Sequence, residues 1–278
     1  MNDSLDNLID DLLIVIVIYK LPIATSPTWQ SLIQCLPCPA TIYIHDNSPT
    51  PHAIPDTSHQ VQYRHDPTNG GVSKAYNEAL VKSEISGKGW LLLLDQDTVI
   101  TKDFFQKCEN NVKRYPDKSF FAPILKDREE IISPFAYTDG ISKKLKNINA
   151  GILSFENYRV ANSGTLIHTT ALRQAGGFDE NLPLDFSDIY LQEKLSTNHT
   201  QFVLIGAVIN HQFSGSKFKD RKESLQRYKI FSRACRTMAD LTQGGNFRWI
   251  SLKRAVNLSF HFFTIRFITC HFQVWSSR

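Results

Sequence analysis

The sequence predicts an α/β fold: a mostly parallel central sheet flanked by helices, followed by a C-terminal helical segment. Three observations predict it. Over the first hundred residues, apolar β-branched runs of strand length alternate with amphipathic stretches, the βαβ rhythm of a parallel sheet. The run Trp90-Leu-Leu-Leu-Leu-Asp95 is apolar on both faces, as a strand between two covering layers must be. Two acids, Asp95 and Asp97, follow at once. Open α/β sheets hold their ligands at that place, beyond the carboxyl ends of the strands.

With 278 residues, 42% hydrophobic and 21% charged, the chain has the size of one large α/β domain or two small ones. Its net charge of +4 is unevenly spread: residues 210–278 hold 13 Lys and Arg against 3 acids, and the preceding 209 hold 18 against 24. The expected division is an acidic catalytic body, residues 1–219, and a basic segment, 220–278, with an anionic partner. Five cysteines make no disulfide framework, and Cys35-Leu-Pro-Cys38 lacks a second pair to complete a zinc site. Reduced thiols and a cytoplasmic location follow. The N-terminus is acidic, without a targeting signal, and Leu12–Ile18 falls far short of the ~20 residues of a membrane span. No nucleic-acid motif accompanies the basic tail, so nucleic acid is not an expected partner.

In order, Leu12–Tyr19 is a buried strand, 28–36 a short amphipathic helix, 41–45 a strand stopped by Asp46-Asn-Ser-Pro49, and 61–64 a third strand. Asn69-Gly-Gly71 is a turn into a helix over 72–86, with Gly87-Lys-Gly89 as its stop. After the leucine strand come a helix over 103–115 and a strand over 119–125. Residues 126–160 are polar and weakly patterned, and read as a loop over the site. Ala161–His168 is a strand, Thr169–Gly176 a helix, 177–188 an acidic loop, 188–196 a helix and 201–210 a strand ending at His211. In the tail, Trp249, Leu252, Val256, Phe260, Phe263, Phe267 and Val274 recur at helical spacing among basic residues. That pattern fits a core-packing helix or membrane-surface contact, and phenylalanine on several faces tips it toward the membrane.

Asp95 and Asp97 repel unless a cation holds them. A divalent metal carrying a phosphate group is the simplest occupant, the other reading being two solvated loop acids. The strand ends together supply Tyr19, Asp46, the Asn69 turn, Asp95, Asp97, Asp188 and His211, which lie along one rim if the strands run parallel.

In the order of its motifs the chain resembles the inverting family 2 glycosyltransferases of GT-A fold, the nucleotide-diphospho-sugar transferase fold, and most of all their bacterial rhamnosyltransferases. The resemblance runs from about Leu13 to Leu241. It rests on Ile-Val-Ile-Tyr19, Ile-His-Asp46-Asn, Asn69-Gly-Gly-Val-Ser-Lys-Ala-Tyr-Asn77, Leu-Leu-Asp95-Gln-Asp97, Asn-Ser163-Gly164-Thr, Gly177-Phe-Asp179-Glu, Leu-Asp185-Phe-Ser-Asp188, His211 and Arg227-Tyr-Lys-Ile-Phe-Ser-Arg233. It implies that Tyr19 and Asp46 hold the nucleotide base, that Asn69, Gly71 and Asn77 shape the same pocket, and that Ser163 and Gly164 border the donor sugar. A small-residue strand entry is the other reading of that last pair. Asp95 would face ribose and metal, Asp97 would ligate Mg²⁺ or Mn²⁺ directly, and His211 would stand near metal or diphosphate. Asp188 would be the catalytic base.

By the same resemblance, the expected donor is dTDP-L-rhamnose and the acceptor a free or lipid-linked saccharide of bacterial surface polysaccharide or O-antigen. The expected enzyme is cytoplasmic, or peripheral at the inner face of the cell membrane, with the C-terminal segment on the membrane surface. Two departures bear on acceptor and sugar: Tyr190 stands where relatives carry a second acid, and Pro183-Leu184 where rhamnosyltransferases carry an apolar pair. Two rivals remain: a haloacid-dehalogenase-like phosphatase with Asp95 as nucleophile, and a non-catalytic module that docks on membrane.

Overall fold

The fold is a computed structural model, described over residues 8–138, 140–211 and 220–276. Strand β1 (Leu12–Ile18) is buried along its whole length, and so is all but the last residue of β4 (Trp90–Asp95). The two pair in parallel, and β2 (Thr41–Asp46) and β3 (Gln60–His65) continue the sheet in parallel beyond β1. Alternate residues of these strands feed two separate apolar layers, as the pleat requires. Ile14, Ile16, Leu92 and Leu94 pack with Trp29, Phe104 and Phe105. Leu13, Val15, Leu91 and Leu93 pack with Ala75, Tyr76 and Leu172. The covering helices are α1 (Pro27–Cys35), α2 (Gly71–Ile85), α3 (Phe104–Arg114) and α4 (Thr169–Gln174). Ser26 caps α1 by accepting the Trp29 N–H, and Pro27 opens the helix.

The sheet runs β10-β13-β6-β12-β4-β1-β2-β3, where β6 is Phe120–Asp127, β10 Gly151–Ser154, β12 Thr165–His168 and β13 Gln201–His211. β12 is antiparallel to both of its neighbours, β4 and β6, while β13 and β6 are parallel. The reversal brings the start of β12 to the rim where β4 and β13 end. A two-residue strand, β5 (Thr98–Val99), pairs Thr98 with His211.

The structure corrects three expectations. Residues 126–160 are not one loop. They form β7 (Glu130–Ser133) on β6, β10 on β13, and a separate sheet of β8 (Phe135–Thr138), β9 (Ile141–Lys143) and β11 (Tyr158–Arg159). These strands are two to four residues long and mostly half-exposed, so no sustained apolar alternation marks them. The strand expected from Ala161 begins only at Thr165, because Gly164 takes φ +81° and breaks the extended run.

The tail, third, is not one amphipathic face but three packed helices, α6 (Arg221–Thr242), α7 (Phe247–His261) and α8 (Arg266–Ser276). Phe267 and Val274 are buried there, with Tyr228, Phe231, Met238, Phe247 and Leu258. Leu182, Ile189 and Tyr137 of the body share that core. The expected boundary at residue 219 lies outside the described residues.

Gly164 also sits where a Cβ would come within 2.6 Å of both Pro123 and Ile209. Gly164→Ala combines a left-handed backbone with a packed wall, so urea titration is expected to read a stability loss of about 2 kcal/mol.

Candidate active site

The Asp95-Gln-Asp97-Thr98 turn leaves the sheet where β4 loses its apolar neighbours, and hydroxyls hold its backbone. The Asp95 N–H donates to Ser163 Oγ (2.9 Å), and the Thr98 N–H to Thr28 Oγ1 (2.8 Å). The Thr28 hydroxyl also meets the carbonyls of Asp95 and Thr98, and Ser26 donates to the carbonyl of Gln96 (2.7 Å). Gln96 points back to β1, its Oε1 accepting the Tyr19 N–H at 2.7 Å. Every turn backbone group named here has a protein partner, so the carboxylates are aimed by a fixed frame.

From that frame Asp95, Asp97 and His211 converge. One ligand atom from each lies within 4.8 Å of the others. His211 Nδ1 meets Thr98 Oγ1 at 2.9 Å, and Thr98 Oγ1 meets Ser163 Oγ at 2.6 Å. Nε2 faces Asp97 Oδ1 at 3.6 Å. With Nδ1 donating to Thr98, Nε2 offers its lone pair on the side of the carboxylates, the usual outer-sphere arrangement of a metal-bound histidine. Burial pushes the Asp95 carboxyl up, the His211 charge opposes this, and Asp97 adds to it. The Tyr76 hydroxyl donates to Asp95 Oδ1 (3.3 Å). Two hard carboxylates and one imidazole suit Mn²⁺, and also Mg²⁺ with water completing its shell. The donor set fits such an ion.

Asp188 lies in the first turn of α5 (Ser187–Leu195) and accepts the Ile189 N–H at 2.8 Å. Burial pushes its carboxyl up to about 7, and the charges of Asp95 and Asp185 add to the rise. The base candidate and the acidic pair therefore share one electrostatic neighbourhood. Gln192 pins this helix by bridging the N–H and C=O of Val160 (2.9 and 2.6 Å), and Asn162 donates to Ser187 (3.2 Å). Two residues upstream, Phe186 takes φ +65°, and before it Asp185 receives a two-pronged bond from Arg227 of α6 (Nη2 to Oδ1, 2.7 Å).

The other expected residues divide. Tyr19 is 41% exposed at the end of β1, and Asn69 is exposed at φ +54°, so both are open to a ligand. Asp46 is fully buried. Burial pushes it up, but bonds from Ser48, Tyr63 and His52 outweigh that and hold it below the ordinary range. It braces the loop after β2. Asn77 is committed elsewhere: its amide pairs with the N–H and C=O of Phe178 (2.8 and 3.0 Å) and with Glu180 (3.0 Å), clamping the 177–186 loop. Gly71 touches the same loop, since a Cβ there would lie 2.2 Å from the Pro183 carbonyl oxygen. Ser163 and Gly164 are buried; Ser163 Oγ anchors the Asp95 N–H, and the Gly164 N–H donates to the Leu93 carbonyl (2.7 Å).

Sequence reasoning missed Thr28, Gln96, Thr98 and Tyr76, whose residue types carry no distinguishing pattern. It also missed Asp66, buried beside the Asn69 turn. Burial raises that carboxyl, but bonds from Lys74 and Thr68 hold it far below the usual range. A Lys eight positions after an Asp was the available signal.

The profile of Glycosyl transferase family 2 matches residues 14–160, a span that includes Asp95 and Asp97 and sets aside the dehalogenase-like reading. No curated protein matches the sequence significantly. Among solved structures, S. aureus TarS 1–349 is similar at TM-score 0.54 and 13% identity, over 94% of this chain and 72% of that one. The same protein in complex with UDP-GlcNAc gives 0.52 and 13%, over 90% and 73%. GalNAc-T7 with UDP, GalNAc and Mn²⁺ gives 0.54 and 12%, over 90% of this chain but only 57% of its own. These likenesses carry the GT-A-like fold. Among the described residues no helix is long and apolar enough to cross a membrane.

Titration of the protein with Mn²⁺, followed by the electron-spin signal of the free ion, is expected to detect a bound ion. Asp97→Asn should weaken its binding by at least roughly tenfold, with far-UV circular dichroism unchanged. Equal affinity in the variant would remove Asp97 from the site.

Proposed function

The chain belongs to Glycosyl transferase family 2, and from that premise we propose that it moves a hexosyl group from a nucleotide-sugar donor to a hydroxyl of a saccharide, with inversion at the anomeric carbon. The observation that carries this is the pairing of Asp95, Asp97 and His211 with a separate carboxylate, Asp188, whose proton affinity is tuned to near neutrality. A carboxylate with its transition near 7 takes a proton from an attacking hydroxyl without holding it too tightly. As the bond between the anomeric carbon and the phosphate oxygen breaks, the departing nucleoside diphosphate needs charge neutralisation, which a divalent cation supplies when bound. Asp95, Asp97 and His211 would hold it.

In this reading the acceptor enters along the 177–186 loop, fixed by Asn77 and by the Asp185–Arg227 pair. Asp188 Oδ accepts the hydroxyl proton as the oxygen attacks from the face opposite the diphosphate. Tyr19, the Asn69 turn and Gly71 form the nucleotide side. The donor is dTDP-L-rhamnose by the resemblance in its motifs, and the acceptor is a lipid-linked or free saccharide of bacterial surface polysaccharide such as O-antigen. TarS and GalNAc-T7 are described with UDP compounds, so uridine donors are the competing class.

Kinetics and thermal melting test this. Asp188→Asn is expected to lower kcat by roughly 10²–10⁴-fold. Wild-type kcat/KM should rise with pH through about 7 as the base ionises, a limb the variant lacks. The folded-state value lies above that of the unfolded chain, so ionised Asp188 costs stability above neutral pH. The variant should therefore melt at or above the wild-type temperature at pH 8, and a lower one would mean that the activity loss reflects misfolding. In a thermal-shift screen with Mn²⁺, dTDP compounds should stabilise the protein more than UDP or GDP compounds. Preference for UDP would replace the rhamnose assignment and leave the chemistry intact.

A further inference from the structure

Helix α7 has two opposite faces. Phe247, Ser251, Ala255 and Leu258 are buried against α6 and α8. On the other side Trp249, Lys253, Val256 and Phe260 fall within about 60° of arc at 3.6 residues per turn. Trp249 is 65% exposed and Phe260 75% exposed. Beyond the helix end the same line continues into the turn before α8, with Phe263 at 96% and Ile265 at 75% exposure.

The turn itself is unusual. Thr264 N–H bonds to the Ser259 carbonyl (3.0 Å) and Phe263 N–H to the Phe260 carbonyl (3.3 Å), the Schellman pattern whose left-handed position normally falls to glycine. Here Phe263 occupies it, at φ +49°. An aromatic ring in a disfavoured backbone conformation and in full contact with water contributes nothing to packing within this chain.

Charge selects the occupant. From Asn246 to Ser276 the chain has no Asp or Glu, whereas the exposed Lys253 lies within the stripe and the exposed Arg266 follows Ile265 at its end. A second copy of the same face would bring like charges together. An anionic bilayer surface satisfies both features, taking Trp and Phe at the headgroup boundary and Lys and Arg at the phosphates.

We propose that the outer face of α7 and the α7–α8 turn form an in-plane docking surface for membrane carrying anionic lipid, with Phe260, Phe263 and Ile265 as the inserted wedge. The surface stands on its own geometry and does not depend on the glycosyl-transfer reading. Its rigid connection to the acceptor side runs through the core shared by Leu182, Ile189, Phe247 and Leu258. An acceptor carried on a lipid would thus be met by an enzyme already held at its surface.

The test is sedimentation of the full chain with vesicles of phosphatidylcholine alone and of equimolar phosphatidylcholine and phosphatidylglycerol. Binding to the anionic vesicles, with a blue shift of Trp249 emission that Trp249→Phe abolishes, is the expected result. The double variant Phe260→Ser, Phe263→Ser should bind them roughly tenfold more weakly. Both positions are exposed, so its thermal midpoint and nucleotide-sugar binding should match wild type. Wild-type sedimentation by the double variant, or no binding by the wild type, overturns the proposal. So does a wild-type dimer in solution that the double variant converts to monomer, because the stripe would then be a subunit interface.

Discussion

Carboxylate crowding is the constraint that the rest of the site answers. The charge of Asp97 raises the Asp95 carboxyl at the end of a strand buried on both faces, and the charge of Asp95 raises that of Asp188 in the first turn of α5. Such a group scatters unless its backbone is held more firmly than its side chains repel. Neutral hydroxyls do the holding. Ser163, Thr28 and Ser26 bind main-chain atoms of the Asp95–Thr98 turn, and Tyr76 reaches the Asp95 carboxylate itself. His211 is the imidazole that faces this group. The frame is preorganised for a cation without already neutralising the charge that would attract one.

The C-terminal helices complete the catalytic body. Their core takes in Leu182 and Ile189, which flank the loop and helix that bear Asp188, and Arg227 reaches from α6 to Asp185. A guanidinium fork on a carboxylate fixes direction as well as distance, so the loop before Asp188 takes its position from a helix 42 residues further along the chain. The same helical layer turns an apolar, acid-free stripe outward. It supports the helix that bears Asp188 on its inner side and meets the surroundings on its outer side.

Much of the sheet was legible because buried parallel strands leave long apolar runs and end abruptly in polar residues. β1, β2, β4 and β13 all appear where that signal does, and the polar residues at their ends meet at one rim because these four strands run in one direction. The short strands of 130–159 left no such trace: two to four half-exposed residues cannot establish a period. Side-chain commitments were harder still. Asp46 reads like a pocket acid but accepts bonds from Ser48 and His52 of its own loop and from Tyr63 of β3, and Asn77 lies in the right motif yet holds Phe178 and Glu180. Ser163 and Thr98 are ordinary hydroxyls in sequence, and only the fold reveals that they connect Asp95 to His211.

The contact between Gly71 and Pro183 has a consequence of its own. The Val72 N–H donates to the Pro183 carbonyl at 2.7 Å, and glycine at 71 is what permits that approach. The turn that opens α2 on one bank of the cleft is thereby joined to the loop preceding Asp188 on the other, with no residue between them. Ser73 of the same helix adds a bond to the Leu182 carbonyl (2.6 Å), and Asn77 holds Phe178 and Glu180. The helix and the loop that precedes Asp188 therefore keep one spacing, and neither shifts without breaking bonds to the other.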